Sequence, residues 1–263
     1  MKQPLVLRAG AALLLAAAAP HAAATNGDQM LGLSAIQNGM AGAVVAAPQD
    51  AATVLVNPAG LAELPITEVR FDLGIGFLNP PRKVNGFESD SDLYMMPAGA
   101  VAFRVSPRLT LGMGMGGTSG MGVDFADTQP APGNQAVVTT KQFFKVTPGL
   151  AWRVNDQLAV GATINLDYQS LALYTPAYAL PQNQVFGWGV SLGAVWKPNE
   201  QWQVGAAFSS RQDMGDFDWN TTAGRFSLAM DAPQSFAVGV AWRPRRGTLV
   251  AALRRGVPHP RAQ

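Results

Sequence analysis

From Thr67 to Leu78 the chain alternates, with Val69, Phe71, Leu73, Ile75 and Phe77 on one face and Glu68, Arg70, Asp72, Gly74 and Gly76 on the other. Apolar residues at every second position predict a β-strand with one greasy and one polar face rather than a helix. The pattern recurs. Phe144, Val146, Leu150, Trp152 and Val154 oppose Lys145, Thr147, Gly149 and Arg153, and Leu158, Val160, Ala162, Ile164, Leu166 and Tyr168 oppose Thr163, Asn165, Asp167 and Gln169. Phe186, Trp188, Val190, Leu192 and Trp196 oppose Gly187, Gly189, Ser191 and Gly193. Trp202, Val204, Ala206 and Phe208 oppose Gln203, Gly205, Ser209 and Arg211, and Phe236, Val238, Val240 and Trp242 close the series. About nine strands are expected, near 67–78, 96–105, 108–116, 141–154, 157–169, 186–197, 201–211, 235–243 and 247–254. Most are about 9 to 13 residues long, which is what a tilted strand needs to cross a bilayer.

The connections sharpen the picture. Tight links at Ser106–Arg108, Asn155–Gln157, Pro198–Gln201 and Pro244–Arg246 alternate with long polar or Pro/Gly-rich loops. Short turns at one end and long loops at the other are the habit of outer-membrane barrels. Trp152, Trp196, Trp202 and Trp242 cluster beside the short turns, as an interfacial girdle would. Alternation alone also suits a soluble sandwich that buries its apolar faces against a second sheet; the loop asymmetry and the tryptophans favour the barrel. Lys2, Arg8, the apolar run Ala9–Ala19 and the small residues Ala22 and Ala24 form an export signal, with cleavage expected before Thr25.

Composition excludes several chemistries. There is no cysteine, and the two histidines, His21 and His259, lie in the signal and the tail, so neither a thiolate metal site nor a histidine-based triad is expected. No cofactor and no enzymatic activity are expected. Much of the basic charge crowds the last residues (Arg243, Arg245, Arg246, Arg254, Arg255, Arg261), which leaves the body mildly acidic and gives no case for nucleic-acid binding.

Residues 25–65 differ from the rest. They are rich in Gly and Ala, form no amphipathic strand, and allow short helices such as Asp50–Val56. A segment so poor in large side chains is expected to pack inside something else, as a hatch or plug. The run Thr25–Leu64, centred on AGAVVAAPQDAATVLVNPAGLAEL, resembles the N-terminal hatch of the FadL/TodX family of outer-membrane transporters for long-chain fatty acids and aromatic hydrocarbons. Asn57, Pro58 and Ala59 match that family's NPA signature, and Gly60 and Leu61 extend it. The resemblance implies a plugged barrel of roughly fourteen strands, in which an apolar solute enters from outside, binds a greasy pocket and leaves through a wall opening after the hatch or N-terminus shifts. Physically the motif suits a latch: proline holds Asn57 extended, the Asn amide bonds nearby backbone, and Gly60 permits a sharp turn. It also suits a plain helix boundary with no gating role.

Other residues are weighed against this frame. Inward-facing Arg70, Lys145 and Arg153, with Arg104, are candidates to meet a fatty carboxylate, though ordinary polar lumen lining is the favoured reading of them. Met113 and Met115 share a face with Leu109 and Leu111 and are expected to meet lipid. Gly112, Gly114 and Gly117 spell GxGxxG without a following helix, so glycines easing a strand bend or a close backbone approach replace a nucleotide site. The acidic groups of Glu88, Asp90 and Asp92 and of Asp213, Asp216 and Asp218 read as solvated loop charge, with loose divalent-ion or lipopolysaccharide bridging as the alternative. Nine strands are too few for the implied barrel, and the Arg-rich end from 244 to 263 makes an awkward wall, so the expectation is an incomplete antiparallel transmembrane β-barrel from 66 to 243, truncated or frame-shifted near Pro244. The expected function is passive uptake of long-chain fatty acids or other hydrophobic small molecules, by a monomer if complete, in contact with outer-membrane lipid and lipopolysaccharide. The rivals are a structural or adhesive surface barrel and a non-functional truncated transporter.

Overall fold

The computed structural model describes residues 29–126, 137–177, 179–222, 224–245 and 247–256; the expected signal peptide and its cleavage point lie outside them. After a short helix α1 (Ala35–Gly39) and two 3-10 helices (Ala51–Leu55 and Pro58–Glu63) the chain is made of strands: β1 (Val69–Leu78), β2 (Lys83–Val84), β3 (Phe87–Glu88), β4 (Tyr94–Arg104), β5 (Leu109–Asp124), β6 (Val138–Arg153), β7 (Leu158–Tyr174), β8 (Ala179–Trp196), β9 (Trp202–Ser209), β10 (Asp213–Met214), β11 (Phe217–Thr221), β12 (Gly224–Leu228), β13 (Ser235–Trp242) and β14 (Val250–Gly256). Nine of them form one antiparallel wall in the order β1-β4-β5-β6-β7-β8-β9-β13-β14, with β10 added to β8. β1 and β14 are its free edges and do not pair with each other, so the wall is an open, incomplete barrel among the described residues.

The alternation sets the two faces. Leu73 is 86% exposed, and Phe71, Ile75, Phe186, Trp188 and Leu192 are exposed with it, all on the outward surface. Met113 and Met115 join them, as expected of lipid-facing positions. Trp152, Trp196, Trp202 and Trp242 stand outward beside the short turns, and Trp202 stacks on Trp242 with centroids 5.7 Å apart. The inward face is small or polar. Thr147, Thr163, Asn165 and Ser191 form a hydrogen-bonded ladder across β6 to β8 that Ser209 extends to β9.

The wall strands run further at the long-loop end than the apolar alternation indicates. β5 continues to Asp124 through a glycine-rich stretch, with a register shift against β6 between Gly117 and Ser119. Above the wall, β11 and β12 form a hairpin whose Phe217 and Trp219 pack on Leu180 and Val185, and Trp219 Nε1 donates to the Pro181 carbonyl at 2.7 Å. β2 and β3 form a second hairpin around Asn85–Gly86.

Residues 29–66 lie on the inward face. Ala51, Ala52, Val54, Leu61, Ala62, Leu64 and Ile66 pack on the wall alanines Ala100, Ala102, Ala151 and Ala159. The segment has no core of its own and buries its few large side chains against small wall residues. Complete burial of a residue such as Leu61 stabilises the docked hatch by about 1.5–3 kcal/mol.

Candidate functional site: a pinned hatch beneath an internal cavity

Pro58 restricts the residue before it to extended backbone, and Asn57 sits there at φ −143° and ψ 100°, capping the 3-10 helix Pro58–Glu63. Its side chain is fully buried. Oδ1 accepts from the Ala59 N–H at 3.2 Å, while Nδ2 donates to the carbonyls of Val45 at 2.7 Å and Ala194 at 3.2 Å. Val45 belongs to the hatch and Ala194 to β8, so one amide ties the hatch to itself and to the wall. The close approach is possible because the facing wall residue is Gly193, where a Cβ would overlap Asn57 Oδ1. Gly60 serves space rather than a turn: its φ is not positive, but a Cβ there would collide with Thr53 Oγ1. Gly112 and Gly114 likewise make room, for Leu61 and for Val54 and Leu55.

Three of the four basic residues expected to meet a ligand hold the hatch instead. Arg104 Nη2 donates to the Leu64 carbonyl at 2.8 Å. Arg153 donates to the Ala62 carbonyl and lies 3.7 Å from the Glu63 carboxylate, which also pairs with Lys197. Arg70 pairs with Asp72 at 2.7 Å and donates to the Gln49 carbonyl at 2.9 Å, while Asp72 accepts the Ala51 N–H at 2.8 Å. Within the hatch the buried Asp50 carboxylate accepts from Ser34 Oγ and from Gln37 Nε2 at 3.3 Å. The hatch is therefore pinned at its Asn57 centre, at its Glu63 end and along β1.

Lys145 is different. It lines a cavity of about 240 Å³ that lies on the far side of the hatch from Glu63, between Val45, Leu55 and Val56 below, Met230–Pro233 above, and the inward faces of β5 to β9, β13 and β14 around it. Lys145 Nζ is 3.8 Å from Asp167 and 3.4 Å from Gln212 Oε1. The lining is mixed: Phe143, Met30, Met230 and Leu253 supply apolar surface, and glutamines and serines supply polar groups.

Beside the cavity the wall has a seam. The β4–β5 ladder ends at Ala98 and Gly116, whereas β4 remains paired to β1 up to Tyr94 and β5 to β6 up to Asp124. Pro97 stands at the point of divergence. The stretch Gly117–Met121 thus has no ladder to β4. Met96 lies against Gly117 there, and from inside the N-terminal segment covers it, with Gln29 bridged to Ser119 and Met30 N–H donating to the Thr118 carbonyl at 3.0 Å. Tyr94 Oη, which donates to the Gly122 carbonyl at 2.9 Å, and Arg82, which bonds both, close the seam at its long-loop end.

Comparison with known proteins decides what this architecture is. The family model described as outer membrane protein transport protein (OMPP1/FadL/TodX) matches residues 13–225. The chain belongs to that family. Three solved structures share its fold. The Pseudomonas putida toluene transporter TodX superposes with a TM-score of 0.72 at 19% identity, over 85% of this chain and 70% of TodX. The CymD monoaromatic hydrocarbon channel gives 0.66 at 16% identity over 86% and 68%. The Ralstonia pickettii toluene transporter TbuX gives 0.60 at 19% identity over 85% and 71%. No curated protein matches the chain by sequence.

As a member of the OMPP1/FadL/TodX family the chain is an outer-membrane transport protein and not an enzyme. The short turns then face the periplasm and the long loops the exterior. Outside the membrane, Asp218 pairs with Arg225 at 2.8 Å and Glu88 with Lys83, and these hydrogen bonds hold both carboxyls below their ordinary range. The acidic loop residues Glu88 and Asp218 are in this way engaged by neighbouring cations. Sequence reasoning passed over Glu63 and Lys197, although Glu63 is the lone acidic residue between Asp50 and Glu68. Gln212 was missed as well; it lies at an irregularity between β9 and β10, where strict alternation does not apply.

Proposed function

We propose that this family member lets small hydrophobic compounds diffuse passively across the outer membrane, entering from the long-loop side, resting in the cavity above the hatch, and leaving through the β4–β5 seam once the N-terminal segment withdraws. The observation that carries this reading is the cavity itself. Its volume of about 240 Å³ exceeds the roughly 150 Å³ in which an apolar cavity accepts benzene. Ring-sized compounds therefore fit, which agrees with the toluene and monoaromatic hydrocarbon named for TodX, TbuX and CymD. Long-chain fatty acids are the second substrate class, with Lys145 the residue placed to meet a carboxylate. The exit rests on the same footing: the seam lacks a ladder, and Met96, Gln29 and Met30 are what occlude it. Export through a signal cleaved before Thr25, contact of the outer loops with lipopolysaccharide, and a monomeric channel belong to the same proposal.

The test is binding and uptake by the full chain. Radiolabelled toluene and palmitate are offered to the protein purified from outer membranes and to cells with and without the gene. Saturable toluene binding with faster uptake is the expected result. Absence of saturable binding for both probes, with uptake unchanged by deletion, would overturn the proposal.

A further inference from the structure

The cavity is more polar than a hydrocarbon needs, and most of its polar groups are already engaged. Gln37 bonds Asp50 and the Leu33 N–H, Gln212 bonds Ser209, the Ser210 carbonyl and Lys145, and Ser191 links Asn165 to Ser209. Two buried groups on the lining have no partner among the described residues. Gln169, only 2% exposed, has a buried carbonyl oxygen with no hydrogen-bond partner, and Ser119, 6% exposed, has an equally unpartnered hydroxyl. Neither end of the Gln169 amide is used by the protein among the described residues. A buried amide without partners is disfavoured unless something else bonds it. What fills the cavity therefore determines whether the amide is satisfied.

We propose that the cavity recognises uncharged, ring-sized compounds bearing a hydroxyl group, of the phenol type, and that Gln169 is the specificity-determining residue that hydrogen-bonds that hydroxyl. This rests on the reading of the cavity as the solute site. The apolar half, with Phe143, Met30 and Met230, takes the ring; sulfur against an aromatic edge is a favourable contact. Gln169 Oε1 is closed off from the cavity, so the Nε2 end of the amide takes the hydroxyl by donating to its oxygen; with the amide turned over, the carbonyl oxygen takes that place and accepts the hydroxyl proton. Ser119 lies two strands away, beyond Phe143, and its hydroxyl is closed off from the cavity, which leaves Gln169 to read the guest. An anionic head is less suited, because Lys145 is already shared between Asp167 and Gln212, and Arg255 donates to Gln29 at 2.8 Å. A plain hydrocarbon of the same shape covers the Gln169 amide and gives its cavity-facing end no partner.

The pair p-cresol and toluene differs by one hydroxyl, so their relative affinity for the full chain in detergent reads the proposal directly. In a merely greasy cavity toluene binds more tightly, since p-cresol loses hydration on entry. We expect p-cresol to bind at least as tightly as toluene, and Gln169→Leu to weaken p-cresol about tenfold while leaving toluene unchanged or tighter. Ser119→Ala, which removes a hydroxyl closed off from the cavity, is expected to leave the ratio of the two affinities unchanged. Tighter binding of toluene by the unaltered protein overturns the hydroxyl preference without any variant, as does a Gln169→Leu protein that keeps the original ratio. If neither compound binds, the solute site itself is wrong and this inference falls with it. If toluene alone binds, the transport reading stands and only the hydroxyl recognition fails.

Discussion

Replacing Asn57 by alanine removes the one side chain that bonds hatch to hatch and hatch to wall. Three hydrogen bonds disappear: the cap to Ala59 N–H and the donations to the Val45 and Ala194 carbonyls. Loss of an N-cap costs about 1 kcal/mol, and each buried bond contributes about 1 kcal/mol net. The docked hatch should therefore lose about 3 kcal/mol, with its open population rising about a hundredfold. Hydrogen–deuterium exchange of the full chain measures this, with the amides of 44–64 reporting on the hatch and those of β6 to β8 serving as an internal reference. The expectation is exchange about a hundredfold faster in the hatch and unchanged in the wall. Asn57→Asp separates the two roles, since it retains an acceptor for Ala59 and loses both donations; it should reproduce most of the effect. Unaltered hatch exchange in Asn57→Ala would refute the pin. Equal acceleration in hatch and wall would show instead that the residue supports the whole fold.

Gly193→Ala should undock the hatch by overlap with Asn57 Oδ1, whereas Gly74→Ala, with nothing within 4 Å of the added methyl, should leave it docked; limited proteolysis at 44–64 distinguishes them, and equal protection in both refutes the close approach. Glu63→Gln removes the charge facing Arg153 and Lys197 and should weaken hatch docking by about 1–3 kcal/mol; exchange of the last hatch turn indistinguishable from the unaltered chain would count against the ion-paired end. Leu73→Arg places a cation on the outward face of β1 and should lower stability in phospholipid vesicles by about 2–4 kcal/mol if the position lies near the bilayer midplane, and an unchanged urea midpoint would contradict lipid contact there. The carboxyls of Glu88 and Asp218 titrate below their ordinary range, so their pairs with Lys83 and Arg225 persist above that range and are lost as pH falls through the lowered values. Exchange protection in β3 and β12, corrected for intrinsic rates, should then be greater at neutral than at strongly acidic pH, and the opposite trend would refute the pairing.

The wall was legible because alternation is a local signal and outward positions carry it strongly. The nine expected segments are the nine wall strands, and the tryptophans lie beside the short turns as anticipated. Strand ends were less legible. β5 passes beyond its expected end at 116 through Gly117, Gly120 and Gly122, residues that give no alternation and that pattern reading assigns to a loop. The β2–β3 hairpin left a signal that was not used: Asn85 and Gly86 have φ of 50° and 87°, the conformation for which Asn-Gly is the favoured two-residue turn. The NPAGL latch was readable at Asn57, whose extended backbone follows from Pro58. Gly60 was assigned a turn, because what a missing Cβ makes room for depends on Thr53 across the hatch. The basic residues show the same limit. Periodicity places Arg70, Arg104 and Arg153 inward, but whether an inward guanidinium meets a solute or a carbonyl of the hatch depends on where a segment 90 residues away in sequence docks, as with Arg153 and Ala62.

The hatch, the cavity and the seam are joined by one stretch of chain. Residues 29–33 line the cavity, and within them Gln29 and Met30 bond β5 at the seam while Leu33 N–H donates to Gln37 Oε1 at 3.0 Å. Gln37 in turn donates to Asp50, which opens the 3-10 helix leading to Asn57 and the wall pin. On the proposed function, a solute that presses on Met30 and Leu31 therefore acts on the cover of the seam first, which is held by the backbone bridge of Gln29 and Met30 to Thr118 and Ser119 and by the Arg255–Gln29 bond. To move the hatch it must further disturb the buried Asp50 contacts and the three bonds of Asn57. The weaker set gives way before the stronger, so withdrawal of the N-terminal segment from Thr118 and Ser119 requires less free energy than undocking the hatch. Within the proposed function, this ordering sets sideways release between β4 and β5 ahead of passage through the hatch itself.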